Sequence, residues 1–591
     1  MEDFIKLQES LMGHIHQEID LTDNKIIGFD EIKEAMTGLH TLKHPLQKGI
    51  STPVLTPLVN KDVPGSPPEP VYNNKVQGDI QGNIIPGFNK NVQKFLFYKI
   101  KSAKRTKSFL KWLLPYISTM EEVMAFRRLY RSRKFRLGSN HTFLASTGVN
   151  IAFSYNGTIK LVGKRNASAL GDLSFKQGMA ERSAYLGDPT SSASRGHQSN
   201  WVVGGEDNEA DIIIILAADN RGSMKRLCKL VERKAAAASM DLIFTQDGET
   251  LPGNLRGHEH FGFKDGISQP GVRGKLSNDP GDYITPRYIA DADDRRLYMA
   301  KPGQLLNWPG QFLLGEQRQD TEELYDAGTV GNNFPAWAAR GSYLVVRRLN
   351  QDVPAFWKFA TSAAQNLGMS ATKFASMLVG RWPSGAPIMR QPNADDPALG
   401  ADQFANNHFI FDDNTRASNL RLIPGYPGDN FPQAAADFLA TVCPHFAHIR
   451  KMNARDSVTD LGKPEDNLAR AILRRGIPFG SAIVGKEAPS DELIKEERGL
   501  MFLSYQSSIE DQFEFLQRRW ANSSVQPNFG GHDPIIGQEG GNRPGSRARF
   551  IDFPTANGAV RIHFKPEWVT PTGGGYFFAP SISAIKNEFA N

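Results

Sequence analysis

An acidic residue inside a glycine-framed turn is the feature of this 591-residue chain best suited to chemistry. Asp265 lies in GFKDG, residues 262–266, with Phe261, Phe263 and Ile267 beside it. Glycines let the backbone bend sharply and approach a flat ligand closely. Apolar neighbours remove water from a carboxyl group, and desolvation is one way in which a carboxyl is tuned for proton transfer. The alternative is a surface turn with a solvated aspartate, because short motifs also match by chance.

Two histidines three residues apart form a second candidate, in the stretch CPHFAHIRKMNARD. On a helix, His445 and His448 occupy neighbouring positions. Haem iron takes a neutral imidazole as its proximal ligand, and one of these histidines could serve. Arg450, Lys451 and Arg455 would then be placed to neutralise the acidic propionates of a porphyrin. The alternative is a helix with a capping or solvent-facing histidine, since metal ligation is the minority use of this residue.

Two adjacent arginines, Arg474 and Arg475, enter a glycine turn in ILRRGIPFGSA. A guanidinium group is permanently charged, holds its donors in a fixed geometry and can stabilise charge that develops on a bound peroxide. A salt bridge at a helix end is the alternative. An acid, an arginine and an imidazole together suggest a peroxide site, but they fit a phosphate or carboxylate site almost as well. Residue types and spacing do not choose between these sites.

The composition is that of a large soluble globular protein, with 40% hydrophobic and 22% charged residues. The length predicts two or more domains. A net charge of +6 is mild for this length, and no basic run is interleaved with aromatic residues at the spacing of single-strand binding, so nucleic acid is not an expected partner. The densest basic patch, RRLYRSRKFR at 127–136, is more typical of a solvated helix face or an anion contact. Cys228 and Cys443 cannot build a disulfide framework or a zinc quartet. The sequence has no stretch of 18 apolar residues and no signal-peptide pattern at its N-terminus, so no membrane span is expected.

Apolar periodicity predicts an α+β body that begins near residue 76. The preceding residues 1–75 are expected to form a short amphipathic helix and a proline-rich arm. The predicted strands lie at 94–100, 211–219, 241–246, 341–349, 499–506 and 574–582, and the predicted helices at about 107–118, 221–238, 354–368 and 507–520. This alternation indicates two similar units, 76–330 and 331–591, with an insertion at about 369–440 lying over the body.

At the three motifs the sequence resembles the dye-decolourising (DyP-type) haem peroxidases. GFKDGISQP is similar to the family's Gly-x-x-Asp-Gly signature and LRRGIPFG to its distal-arginine segment. AHIRKMNARD is similar to its proximal stretch, although Ala454 replaces the usual proline. Further segments match in the expected order over about residues 78–582: QGDIQGNI, GSYLVVRRLNQDVPAFW, LVGRWPSGAP, GLMFLSYQSSIEDQFEFLQ and GGGYFFAPS. The resemblance implies two ferredoxin-like α+β domains with antiparallel sheets, in a dimeric α+β barrel-like fold whose C-terminal domain holds haem.

The resemblance also implies a role for each candidate residue. Asp265 corresponds to the distal acid–base residue, and Arg474 to the distal arginine, with Arg475 as the alternative. His448 corresponds to the proximal iron ligand, rather than His445, because the Ile-Arg pair follows His448. The other implied site residues are Arg455 as a propionate contact, Leu500 and Phe502 as lining of the peroxide pocket, and Ser508, Glu510 or Asp511 as partner of the His448 ring N–H.

The activity implied by the resemblance is the reduction of hydrogen peroxide at one haem b per chain. Dyes, phenols or other aromatic donors would be oxidised in one-electron steps through compound I. A haem-binding or iron-releasing (deferrochelatase-like) protein is the alternative, and a haem-free scaffold is a third reading. The expected partners are hydrogen peroxide and aromatic reductants, and the N-terminal helix and arm favour a homodimer. The expected location is cytoplasmic or, by a route without a signal peptide or after processing, extracellular.

Overall fold

Strands from both halves of the chain meet in one sheet in the computed structural model of the protein. The structure describes residues 68–591 except 138–144, 265, 280, 289–298, 320–326, 332, 413–429, 485–489, 539–548 and 565–566. The predicted N-terminal helix, most of the proline-rich arm and Asp265 therefore lie outside the described residues. Within the described part of the chain, no helix has the length and apolar character needed to cross a membrane.

The N-terminal half contributes four strands that pair antiparallel in the order β2-β3-β1-β4. These strands are β1 (Val92–Ile100), β2 (Thr147–Phe153), β3 (Ile212–Ala218) and β4 (Met240–Glu249). Its longer helices are α1 (Ala103–Leu113), α2 (Met120–Leu137), α3 (Tyr155–Val162) and α4 (Arg221–Ala237). α1 starts earlier than predicted because Ser102 caps it, accepting a hydrogen bond from the Arg105 N–H.

The C-terminal half adds five strands to the same sheet, in the order β10-β12-β9-β15 with β11 also on β12. These strands are β9 (Ser342–Gln351), β10 (Leu473–Arg474), β11 (Ile477–Phe479), β12 (Gly499–Gln506) and β15 (Val569–Ala579). The remaining strands form three separate two-stranded pairs: β5 (Gly271–Val272) with β6 (Leu306–Asn307), β7 (Gln317–Gln319) with β8 (Ala327–Val330), and β13 (Arg549–Thr555) with β14 (Gly558–Phe564).

The helices of this half that matter for the site are α5 (Val353–Asn366), α6 (Ala371–Val379) and α7 (His448–Met452). Two π-helical segments, Ile509–Glu514 and Leu516–Ala521, follow β12. They occupy the place of the helix predicted at 507–520.

The two halves meet at both edges, which gives the sheet a barrel-like form. On one side β15 pairs with β2 at Phe578 and Phe153. On the other side Gly248 of β4 faces Ile477 of β11 so closely that an added Cβ would lie 2.5 Å from the Ile477 Cγ2. The α+β fold with antiparallel strands is thus confirmed. The division into units 76–330 and 331–591 stays a prediction, although β1–β4 and β9–β15 fall on either side of it.

Successive side chains of a strand pack in two different hydrophobic cores, because strand residues alternate between the faces of a sheet. In β3, Ile213 and Ile215 belong to the cluster inside the barrel, whereas Ile212 and Ile214 pack in the cluster with the covering helices. All four side chains are fully buried. The uninterrupted apolar run predicted at 211–219 is therefore a strand buried on both faces.

A third hydrophobic core includes residues of the segment 369–440. The prediction that this segment is an insertion lying over the body therefore needs correction in part. α6 lies within 369–440, and its Phe374 and Leu378 are fully buried. Phe409 and Phe411, further along the same segment, are also fully buried in this core. The described part of the segment is thus built into the body rather than lying over it, since its aromatic side chains complete a hydrophobic cluster.

Candidate active site

His448 is held in place by a buried carboxylate. It is the first residue of α7 and lines a cavity whose described lining is mostly apolar. Its Nδ1 lies 2.9 Å from Oδ2 of Asp533, a fully buried residue. The other carboxylate oxygen of Asp533 accepts the backbone N–H groups of Ile535 and Ile536 at 2.8 and 2.9 Å. With Nδ1 hydrogen-bonded to a carboxylate, Nε2 is the ring nitrogen that a histidine uses to bind a metal.

The pKa of Asp533 is lowered despite its burial. Burial raises the pKa, but the attraction of His448, its hydrogen bond and the two backbone N–H groups together outweigh that effect. Asp533 is therefore an anion next to the imidazole over the ordinary pH range. An anion on Nδ1 fixes the tautomer of a histidine and raises the basicity of the opposite nitrogen.

The three residues expected to partner the His448 ring are engaged elsewhere, so that prediction was wrong. Ser508 caps the following helical turn through the Asp511 N–H, and its Oγ lies 3.4 Å from Asp172 Oδ2. Glu510 accepts a hydrogen bond from the Leu173 N–H. Asp533 lies 85 residues after His448 and far from any of the three motifs, so no local spacing pointed to it.

A buried lysine ties α7 to the loop that carries Asp533. Lys451 is fully buried, and its Nζ donates hydrogen bonds to the carbonyl oxygens of Gln526 and Gly531. Burial lowers the pKa of Lys451 to about 8, while Asp533 acts in the opposite direction. From the sequence, Lys451 was expected to neutralise a porphyrin propionate. In the structure its hydrogen bond to Gly531 instead fixes the backbone two residues before Asp533.

A second wall of the site converges on Ser268, the third residue after Asp265. We call this the Ser268 wall: Ser268, Arg381, Asn407, Arg455 and Arg474. Asn407 Oδ1 accepts from Ser268 Oγ at 2.9 Å, from Arg381 Nη2 at 3.0 Å and from Arg455. Arg381 Nη2 also lies 3.1 Å from Ser268 Oγ, and Arg474 Nη2 donates to the Ser268 carbonyl at 2.9 Å. Three guanidinium groups thus meet at one turn.

Two of these arginines are deeply buried cations. Burial, with a smaller contribution from the charge of Arg455, lowers the pKa of Arg381 to about 9. Burial likewise lowers the pKa of Arg455 to about 10. The described hydrogen bonds of Arg381 go to carbonyl, hydroxyl and amide oxygens. A site with two such cations favours an anionic ligand, because an acid group would offset their mutual repulsion.

Arg381 lines the cavity, whereas the propionate contact expected of Arg455 stays a prediction. Arg455 has a φ of 51° and donates to the carbonyls of Asn407 and Phe409, and it is not among the described residues that line the cavity. Arg381, on the segment LVGRWPSGAP, does line it. That segment matches the family, but no spacing within it predicted a role for this arginine. Leu500 and Phe502 line the cavity, and their position beside peroxide stays a prediction.

The side chains of the adjacent Arg474 and Arg475 point to different places. Arg474 lines the same cavity as His448. Arg475 turns the other way and donates to the carbonyls of Asn83 and Ile84 at 3.0 and 2.7 Å. Arg475 follows the last residue of β10 and is held by these carbonyls, so within the described residues only Arg474 lines the cavity with His448.

The loop around Asp265 is anchored although Asp265 itself lies outside the described residues. Glu259 accepts the backbone N–H groups of Phe261 and Phe263 at 2.8 and 2.9 Å. Gly262 and Gly266 have φ values of 96° and 81°, a region that favours glycine. The role of Glu259 as an acceptor for this loop was not predicted. Its only local signal in the sequence is the position of a carboxylate three residues before Gly262.

The cavity between these walls fits a flat apolar group that carries acids at one edge. Its apolar lining includes Leu349, Val379, Leu500, Phe502, Phe513 and Trp520. Arg381 and Arg474 supply positive charge, and His448 supplies an imidazole. Haem has this combination of an apolar plane, acidic propionates and an iron that accepts imidazole. His445 does not line the cavity within the described residues, and burial lowers its pKa to about 4.

Comparison with known proteins agrees with this geometry. Residues 79–252 match the DyP dimeric alpha+beta barrel domain, and residues 315–528 match the Dyp-type peroxidase C-terminal domain. The chain is 33% identical over 524 residues to the dye-decolorizing peroxidase msp1 of Mycetinis scorodonius, which covers 86% of each chain.

Solved structures resemble the chain over most of its length. A structure of an ancestral D-type dye-decolorizing peroxidase is 32% identical, with a TM-score of 0.67, and covers 87% of this chain and 99% of that one. A dye-decolorizing peroxidase in complex with 2,6-dimethoxyphenol is 29% identical, with a TM-score of 0.62, over 87% and 99% of the two chains. The chain belongs to the dye-decolorizing (DyP-type) peroxidase family and is a haem peroxidase of that type.

Proposed function

We propose that the chain reduces hydrogen peroxide at one haem b per chain, with His448 as the iron ligand. The observation that carries the proposal is the His448–Asp533 pair at the wall of an apolar cavity that Arg474 also lines. Haem, when bound, supplies the redox centre that accepts oxidising equivalents from peroxide and returns them to a donor.

Asp533 holds the proton of His448 on Nδ1 and so presents Nε2 as a neutral lone pair. Because Asp533 is anchored by two backbone N–H groups, the imidazole keeps one orientation. Lys451 keeps the loop that carries Asp533 against α7. Together these contacts would hold the ring rigid and electron-rich, which strengthens metal ligation.

Arg474 is proposed to stabilise the negative charge that develops on peroxide oxygen. Its Nη2 donates to the Ser268 carbonyl, so the guanidinium does not have to reorganise when charge appears. Asp265 is proposed to take the proton from one peroxide oxygen and return it to the other, which leaves as water. Such positioned proton transfer contributes about 10²–10⁴-fold to a rate.

Aromatic donors are the proposed source of electrons. Two donor molecules each give one electron and one proton, and hydrogen peroxide takes both to form two molecules of water. The related peroxidase in complex with 2,6-dimethoxyphenol supports phenols as donors, and the relatives named for dye decolorization support dyes.

The proposal is tested by the absorbance spectrum of purified protein reconstituted with haem. His448→Ala should lose tight haem retention, and added imidazole should partly restore the spectrum, whereas His445→Gln should retain haem. Asp265→Asn should retain haem but react with peroxide about 10²–10⁴-fold more slowly in stopped-flow mixing. An unchanged spectrum in His448→Ala would exclude His448 as the ligand, and an unchanged rate in Asp265→Asn would exclude that residue as the proton carrier.

A further inference from the structure

Positive charge is concentrated on two helices of the N-terminal half, α1 and α4. Their sequences, AKRTKSFLKWL and RGSMKRLCKLVERKAAA, contain ten lysines and arginines but only one carboxylate, that of Glu232. This surplus exceeds the net charge of +6 of the whole chain, so the rest of the chain carries a small net negative charge. The positive charge of the protein is therefore segregated to one part of the fold.

The two helices lie side by side on one face of the sheet. Phe109 of α1 and Leu227 and Val231 of α4 pack in the same hydrophobic cluster. The helices contact each other, and Arg105 Nη1 donates to Ser239 Oγ, two residues after the end of α4, at 2.7 Å. Their outward sides thus form one continuous surface, which is about 25 Å long because α4 has 17 residues.

Most cations of this surface face solvent. Two of the ten are engaged, since Arg221 is paired with Glu249 and Lys107 donates to the carbonyl oxygen of Asn591. The other eight are exposed, and within the described part of the chain none of them forms an ion pair: Lys104, Arg105, Lys111, Lys225, Arg226, Lys229, Arg233 and Lys234. We call these eight residues the basic surface.

The single carboxylate of the two helices is directed toward the sheet. The buried thiol of Cys228 donates a hydrogen bond to Glu232. Burial raises the pKa of the Tyr98 hydroxyl on β1, and the negative charge of Glu232 adds to this effect. Because Glu232 interacts with these two buried groups, it does not neutralise the outward side of α4.

Like charges repeat along α4 at the spacing at which the side chains of a helix meet. Lys225, Lys229 and Arg233 follow one another at intervals of four residues. Like charges at this spacing destabilise a helix, whereas a solvated helix surface usually alternates charges of both signs. An anionic surface that faces α4 would relieve this repulsion along the whole helix.

The shape of the basic surface fits a flat anionic partner better than nucleic acid. Both helices lie along the sheet, so neither protrudes as a helix that enters a DNA groove does. Single strands are bound by stacking of bases on aromatic rings, but Lys234 Nζ lies 5.5 Å from the centre of the Trp112 ring, which also packs against Tyr116 at 5.0 Å. Half-buried tryptophan and tyrosine beside basic residues are typical of the headgroup level of a bilayer.

We propose that the basic surface docks the protein on an anionic phospholipid bilayer. The attraction of basic residues to an anionic leaflet requires no insertion of the chain and falls off within a Debye length, about 8–10 Å at ordinary salt. No residue of α1 or α4 is among the described residues that line the cavity with His448, so the docking surface is separate from the candidate active site. The proposal goes beyond the peroxidase function and does not depend on it.

The proposal is tested by sedimentation of the haem-loaded full chain with phospholipid vesicles. Phosphatidylcholine vesicles that contain about 30% phosphatidylserine should bind the protein, and vesicles of phosphatidylcholine alone should not. The affinity for the anionic vesicles should fall at least about 10-fold between about 0.05 M and 0.5 M salt, because salt screens the attraction. Equal binding to the two kinds of vesicle, or binding that is insensitive to salt, would overturn the proposal.

Two triple variants separate the basic surface from the net charge of the chain. Replacing Lys225, Lys229 and Arg233 together by glutamine should weaken binding to the anionic vesicles about 100-fold, since each basic residue near such a surface contributes a factor of about 5. Glutamine has a similar helix propensity, so the fold is retained. The matched control removes the same charge at exposed positions outside α1 and α4: Lys75→Gln, Lys358→Gln and Lys495→Gln.

The control variant should weaken binding to the anionic vesicles less than about 5-fold. Equal losses in the two triple variants would show that the net charge, and not the basic surface, binds the vesicles, which overturns the proposal. Tighter binding of the unsubstituted protein to duplex DNA or to polyglutamate than to the anionic vesicles at equal salt would also overturn it, since the partner would then not be a lipid surface.

Discussion

The two sides of the cavity differ in how their charged groups are paired. On the His448 side, each described polar group has a counterpart of matching charge or hydrogen-bonding character, with Asp533 between the imidazole and two backbone N–H groups. On the Ser268 wall, three guanidinium groups meet at hydroxyl, amide and carbonyl oxygens. The first side holds the imidazole of His448 in one orientation. Among the described residues, the second brings three cations together, and we expect an acidic group of the ligand there.

The largest expected effect separates Arg474 from its neighbour Arg475. Arg474→Gln should slow the reaction with peroxide about 10²–10³-fold, because a preorganised donor near developing charge is lost. Arg475→Gln should affect this step far less, since Arg475 donates to the carbonyls of residues 83 and 84. Stopped-flow rates at equal haem loading measure both. Similar slowing in the two variants would remove the distinction between these arginines.

A smaller effect is expected on the His448 side, from a substitution of Asp533. Asp533→Asn keeps the shape of the side chain but removes the negative charge next to His448. The affinity for haem should fall about 10–100-fold, the usual cost of losing such a partner. Asp460→Asn is the control, because Asp460 accepts hydrogen bonds from Trp520 and Arg519 rather than from the imidazole. Haem titration of the apo-protein measures both variants, and equal losses would contradict a special role for Asp533.

On the Ser268 wall, removal of one cation should weaken haem binding more than it weakens the fold. Arg381→Gln should lower haem affinity about 10-fold, since a charge-assisted contact to a propionate is lost while repulsion on Arg455 is relieved. Arg390 is the matched control, as a fully buried arginine that donates to the carbonyls of Ala405 and Pro432 and does not line the described cavity. Arg390→Gln should lower the melting temperature without lowering haem affinity. The reverse pattern would place the propionates elsewhere.

The smallest effect concerns acid stability. Burial lowers the pKa of His260, His445 and His532 from the ordinary value of 6.5 to about 4. Between these values the unfolded chain binds more protons than the folded one, so the free energy of unfolding falls as pH drops from about 6.5 toward 4. His445→Asn should flatten the pH dependence of the melting temperature in this window, by roughly 1–3 °C. An unchanged slope would show that His445 is not neutral in the folded protein.

Much of the fold could be predicted because its signals are local. The apolar run of β3, the proline at the start of α5 and the amphipathic spacing of α4 each identify an element without reference to the rest of the chain. The segment 369–440 could not be placed in this way. Its prolines and polar residues resemble those of a surface insertion, and only the packing of Phe374 and Phe409 shows that it belongs to a core.

The sequence alone identified the family and the residues proposed to do the chemistry. The motifs around Asp265, His448 and Arg474 are contiguous, so their identity and the family they resemble could be read directly. The tertiary structure decided how these motifs are supported: Asp533 behind His448, Glu259 behind the glycine loop, and Arg381 rather than Arg455 at the cavity. The physical reason is that a buried charge is stabilised by whichever partner the fold brings within about 3 Å, and no spacing along the chain encodes that distance.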